Sequence, residues 1–272
     1  VTILRIILNT NYTPAMTAPT TLPRPSSRSS FLTTGFAAVA PALLLAASAS
    51  TEVNYQGLIL TPALDRWMYP FGAQAGAEAT ISTFGSEPGA PDFDSRDGQM
   101  LVRFDTGSLV PAGLGAHRYL VTSLRLTVEF ANDLIVEYDP TPDPWQSFLD
   151  PSDPEWVPDP DPGQPVELFG VGFRNGFSLQ TFAENSPYTV PPNSPLSPSV
   201  RNAFALSFNE QGAAIDVSNN PREGFDPKRF SVGLIDGLEP GDLIPVGTVM
   251  HFDLDVSDPD IQGYLAKGVD AG

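Results

Sequence analysis

The sequence predicts an all-β chain, a two-layer antiparallel β-sandwich with long, acidic, proline-rich loops. Three observations lead there. Apolar and polar residues alternate with a period of two through segments rich in β-branched and aromatic side chains. Turn formers, with 23 Gly and 29 Pro in 272 positions, interrupt those segments at intervals typical of an antiparallel sandwich. Helical patterning is confined to two short stretches, Pro144–Leu149 and Asp260–Lys267.

The chain divides near residue 50. Residues 1–49 contain no Asp or Glu, hold Arg5, Arg24 and Arg28, run apolar from Phe31 to Ala47, and end on Ala47-Ser48-Ala49. That is the layout of a secretory signal cut after Ala49, and Met16 to Ala49 alone makes a complete one, so Met16 is a candidate true start. The 17 residues of Phe31–Ala47 include Gly35 and Pro41 and are short for a membrane span, which needs about 20. Residues 50–272 are then expected to form one β domain, with 1–49 outside it.

The strands follow in order. Ala77–Phe84 and Gln99–Phe104 flank an acidic turn. In Tyr119–Phe130 the residues Leu120, Thr122, Leu124, Leu126, Val128 and Phe130 share one parity, with the last four apolar residues expected in the core. Leu134–Tyr138, after a turn at Asn132-Asp133, completes a hairpin over 119–138. Val166–Phe169, Ala203–Phe208, Ala214–Val217 and Thr248–Val256 are the later strands. In the last, Met250, Phe252, Leu254 and Val256 are expected inside, and His251 and Asp253 outside. Asp258-Pro259-Asp260 caps the C-terminal helix. No apolar β run follows Val256, so the expectation is an uncovered edge there and a chain that stops short of a closing strand.

Two excursions interrupt this pattern. Asp139–Pro165 packs nine prolines and seven acids into 27 residues without a base. Proline removes donors and fixes φ, so the stretch is surface loop rather than central strand. Pro187–Pro198 is the second.

The formal charge is −18, and all 32 acidic residues lie beyond residue 49. So negative a surface disfavours nucleic acid and anionic membranes, whose phosphates need a basic patch. There is no Cys and there are only two His residues, His117 and His251. Disulfides, thiol nucleophiles and Cys-based zinc sites are thereby excluded, and two histidines leave little for a multi-histidine metal site. An exported chain of this kind folds on its core, or on core plus metal ions.

Three stretches carry a family resemblance. They are Asp65-Arg66-Trp67-Met68-Tyr69-Pro70-Phe71, then Met100-Leu101-Val102-Arg103-Phe104-Asp105 with Leu109-Val110-Pro111-Ala112-Gly113, then Val121-Thr122-Ser123-Leu124-Arg125-Leu126-Thr127-Val128. Their order resembles the DNRLRE-type, disaggregatase-related domains of secreted bacterial proteins, over about residues 64–130. The resemblance implies a jelly-roll β-sandwich like that of carbohydrate-binding modules, with motifs that are structural rather than catalytic. The stretch Val166–Gly176 has no counterpart in that pattern.

Several groups could carry chemistry. Asp92, Asp94 and Asp97, followed by Gly98, place carboxylates at i, i+2 and i+5, either as part of an oxygen cage for calcium or as a polar hairpin loop. Asp159-Pro160-Asp161-Pro162-Gly163, with Glu167 downstream, offers a second calcium candidate or a solvated acidic loop. Trp67, Tyr69, Trp145 and Trp156, with Phe148 and Tyr188, form either a stacking platform for sugar rings or pins for the long loops. Arg174 and Asn175 sit on a glycine-flanked turn, poised for a carboxylate or hydroxyl, or simply forming that turn. No catalytic residues are assigned. The chain lacks Gly-x-Ser-x-Gly, phosphate-loop and dinucleotide signatures, and with so many acids some glycosidase-like carboxylate pair arises by chance.

The expected molecule is an exported, non-catalytic, cell-surface or matrix domain that binds glycan, calcium or both, with a polysaccharide or surface protein as partner. A carbohydrate-active enzyme (lyase or hydrolase) on the same scaffold and a structural surface protein without small ligand are the competing readings.

Overall fold

The computed structural model describes residues 3–12, 51–69, 98–194, 197 and 199–272. The strands are β1 (Ile3–Tyr12), β2 (Thr51–Ile59), β3 (Leu64–Met68), β4 (Gln99–Arg103), β5 (Tyr119–Glu129), β6 (Glu167–Leu168), β7 (Gly170–Phe173), β8 (Ala203–Phe208), β9 (Ala214–Asp216), β10 (Ser231–Val232) and β11 (Val249–Asp253). Among the described residues two helices, α1 (Asn220–Glu223) and α2 (Pro259–Ala271), accompany them. Among the described residues every strand pairing is antiparallel. The chain is therefore all-β in small sheets: a four-stranded sheet ordered β11-β5-β1-β2, a three-stranded sheet β7-β8-β9, and the ribbons β3-β4 and β6-β10.

β5 organises the largest sheet. Its first half turns Tyr119 and Val121 inward, and its second half Leu124 and Leu126. The parity changes because Thr122 is skipped in the pairing with β1, where Ile7 faces Ser123 and Leu8 faces Val121. An inserted residue of this kind rotates every later side chain to the other face. Leu120 consequently points out, 49% exposed, while Val128 and Phe130 pack half-buried at the margin of the core. Along the inner face, Val110, Tyr119, Val121 and Leu124 meet Ala266 and Val269 of α2, and Leu126 joins Tyr138, Ile235, Ile244, Met250 and Phe252. Asp258 starts α2 by accepting from the backbone N–H groups of Asp260 and Ile261, as its Asp-Pro-Asp sequence requires.

Four expectations differ from the structure. Ile3–Tyr12, assigned by sequence to a leader outside the domain, forms β1 between β5 and β2; a run such as Ile3-Leu4-Arg5-Ile6-Ile7-Leu8 has high strand propensity. Leu134–Tyr138 does not fold back on β5. Leu134 donates to Ile244, and Ile244 to Val136, because Asp133 caps the Val246 N–H and steers the chain toward 243–246. The last strand is shorter than 248–256 and ends at Asp253. Its outer edge is met by Leu234, which exchanges two 2.8 Å backbone hydrogen bonds with His251. Finally, Trp145–Phe148 is a single 3-10 turn rather than a helix of Pro144–Leu149. The strand expected at Ala77–Phe84 lies outside the described residues.

Candidate metal centre

The acidic excursion is pinned at both ends. Its start follows the backbone bridge between Glu137 and Leu243. Asp139 then folds the chain into an Asx turn, its Oδ1 accepting from both the N–H and the hydroxyl of Thr141 at 2.7 Å. Arg229 holds the next residues in place. Its Nη2 donates to the Asp143 carbonyl at 3.2 Å, and its Nε donates to Glu167. The Trp145 N–H donates to Asp226 at 2.8 Å.

The far end of the excursion returns onto this turn. Pro162 lies against Gly241, where a Cβ would come within 2.7 Å of the proline ring. Gly163 has φ of 104°, and a Cβ there would stand 3.0 Å from Asp139 Cβ and 3.1 Å from the carbonyl oxygens of Glu137 and Tyr138. Only glycine allows both that backbone conformation and that approach. The approach brings Asp161 to Asp139.

The result is a triad. Asp139, Asp143 and Asp161 each place a carboxylate oxygen within 4.8 Å of the others. Asp139 is 1% exposed and Asp143 4%. One buried oxygen of each acid, Asp139 Oδ2, Asp143 Oδ1 and Asp161 Oδ1, accepts no hydrogen bond. Among the described residues no basic side chain forms an ion pair with any of them. Burial raises the Asp143 carboxyl to about 7, and the charges of Asp159, Asp139, Asp161 and Glu167 push in the same direction. A buried carboxylate without partner is costly, and three converging ones repel. Hard cations such as calcium take six to eight oxygens from carboxylates, carbonyls and water, so this donor set fits one.

The sequence reading named Asp161, which the structure brings into the triad, and did not name Asp139 or Asp143 as ligands. Asp159 is exposed beside the triad, its Oδ1 accepting from the Asp161 N–H at 3.3 Å. Glu167 is engaged by Arg229 instead, and burial is the main cause that raises its carboxyl, with Arg229 opposing. Asp92, Asp94 and Asp97 lie outside the described residues. The missed pair had a faint signal, since Asp139 and Asp143 stand four apart on a segment stiffened by Pro140 and Pro142.

The other candidate residues are dispersed. Trp67 of β3 and Tyr69 just beyond its end stack face to face, centroids 5.0 Å apart and 7° from parallel. Trp145 opens the 3-10 turn with its ring near Gly224, and Trp156 is half-buried farther along the excursion. Tyr188 is a core residue. Arg174 lies over the Phe204 ring and binds the Ser199 carbonyl and Asp216. Asn175, with φ of 57°, and Gly176 make the expected turn, and the Asn175 amide donates to Asn202. No helix among the described residues is long and apolar enough to cross a membrane. Comparison of the chain with known protein families, with characterised proteins and with solved structures returns no match.

Proposed function

We propose that the protein is an exported, non-catalytic β domain of jelly-roll type that binds calcium through Asp139, Asp143 and Asp161 and presents its stiffened loop face to glycan at the cell surface or in the matrix. The observation that carries the calcium reading is the set of three buried carboxylate oxygens with no hydrogen-bond partner. Calcium supplies the missing charge and closes the excursion onto the 137–139 segment. The leader-like layout of Met16–Ala49 supports export, and β1, which precedes that segment, requires that the chain be exported without a cut after Ala49. The stacked Trp67–Tyr69 pair supports a sugar contact, and the order of motifs between residues 64 and 130 supports the jelly-roll assignment.

The test is a thermal melt in calcium, in magnesium and in chelator at fixed ionic strength. A ligand that binds only the native state adds RT ln(1 + [L]/Kd), about 2.7 kcal/mol at a hundredfold excess over Kd. Calcium is expected to raise the midpoint above the chelated value. Equal midpoints refute the reading, and an equal gain from sodium reduces it to screening.

A further inference from the structure

Beyond the triad, a half-open cavity of about 450 Å³ is lined by residues of all four sheets. Its lining includes Leu126 of β5, Phe252 of β11, Met68 of β3, and Val171 and Ala205 of the three-stranded sheet. Small-molecule sites span about 300–1,000 Å³ and are mostly apolar with a few polar groups. This cavity has that composition. Val166, Leu168, Phe169 and Phe204 line it yet stay only half-buried, so apolar surface remains for an occupant to cover. Among the described residues no basic side chain lines it, and the one acid that does, Glu167, is neutralised by Arg229. The amides of half-buried Gln99 and exposed Gln164 stand among the lining groups.

We infer that this cavity is a binding site for a neutral, mainly apolar small molecule bearing a hydroxyl or amide, and that a cation at the triad strengthens its binding. The neutrality follows from the lining. Among the described residues an anionic head would meet no base, on a strongly negative protein, and a cationic head would find the one lining acid already paired. The coupling follows from chain connectivity. Gln164–Leu168, one wall of the cavity, begins three residues after Asp161, and Phe148, also in the lining, ends the 3-10 turn that starts two residues after Asp143. Ordering the triad orders that wall. This coupling rests on the calcium reading; the cavity does not.

The experiment titrates the full chain with the neutral probe N-phenyl-1-naphthylamine, with and without calcium, while calcium binding is followed separately by calorimetry. Saturable binding is expected at one site, tighter in calcium by on the order of fivefold or more, with an anionic naphthalene sulfonate binding far more weakly. Ala205→Phe fills the cavity and is expected to abolish probe binding while leaving calcium binding intact; Ala205→Val, a smaller intrusion, weakens it. Absence of saturable binding, or binding unchanged in Ala205→Phe with calcium binding retained, overturns the inference. Calcium binding that leaves the probe affinity unchanged overturns the coupling. Probe binding without any calcium binding overturns the triad reading and leaves the cavity assigned.

Discussion

Asp139 and Asp161 lean on the same hydroxyl: Thr141 Oγ1 lies 2.7 Å from Asp139 Oδ1 and 2.7 Å from Asp161 Oδ2. A hydroxyl has one proton to donate. With both acids ionised, one of these contacts sets oxygen against oxygen. A cation among the three carboxylates removes the conflict.

The third acid of the triad sets a pH dependence. The Asp143 carboxyl, at about 7 in the folded protein against 3.8 for the free group, is favoured protonated by the fold. Its contribution is neutral below about pH 4 and becomes a growing penalty as pH rises to about 7, constant beyond. In chelator, urea midpoints are expected to fall across that window. Calcium holds the ionised form and is expected to abolish the fall. Asp143→Asn removes the titration, gains on the order of 1–3 kcal/mol at pH 8 in chelator, and loses the response to calcium.

Gly163→Ala tests the approach of the loop rather than the ligands. A side chain at φ of 104° is strained, and its Cβ meets Asp139 Cβ and two backbone carbonyls. The expected cost is roughly 2–3 kcal/mol, with loss of the calcium-dependent shift in the melt. A variant that keeps that shift would show that Asp161 does not need this contact.

A second clamp lies away from the triad. Arg66 of β3 and Arg103 of β4 point two register positions apart into one loop. Arg66 Nη1 donates to the carbonyls of Ala183, Glu184 and Ser186, at 2.7–3.1 Å. Arg103 Nη1 donates to Leu179 at 2.6 Å and to Phe182 at 3.2 Å. Arg66 is 4% exposed, so Arg66→Met leaves buried carbonyls unpaired and is expected to cost roughly 2–4 kcal/mol in denaturant unfolding. Calcium affinity should not change, since the 179–186 loop is separate from the triad.

The fold was legible where burial is one-sided. The alternation of Met250 and Phe252, the strand at Ala203–Phe208, the cap at Asp258 and the turn at Asn175-Gly176 are local consequences of period and turn chemistry. The structure departs from the sequence reading where a single residue or a distant partner decides. The bulge at Thr122 reverses the parity of β5, and Asp133 diverts 134–138 from β5 to 243–246. The site had the same limit. Acidity and proline marked the excursion, and the Asp-Pro-Asp-Pro-Gly run marked one end of it. Joining Asp161 to Asp139 depends on Gly163 and Gly241, whose long-range contacts leave no periodic trace.

The central claim is that Asp139, Asp143 and Asp161 together bind one calcium ion, and the direct measurement is isothermal titration of the full chain with calcium at neutral pH and about 0.15 M salt, where surface charge is screened. The account predicts one saturable site that disappears in Asp143→Asn and in Asp161→Asn. Heat of dilution alone, or a site of undiminished affinity in both variants, contradicts it.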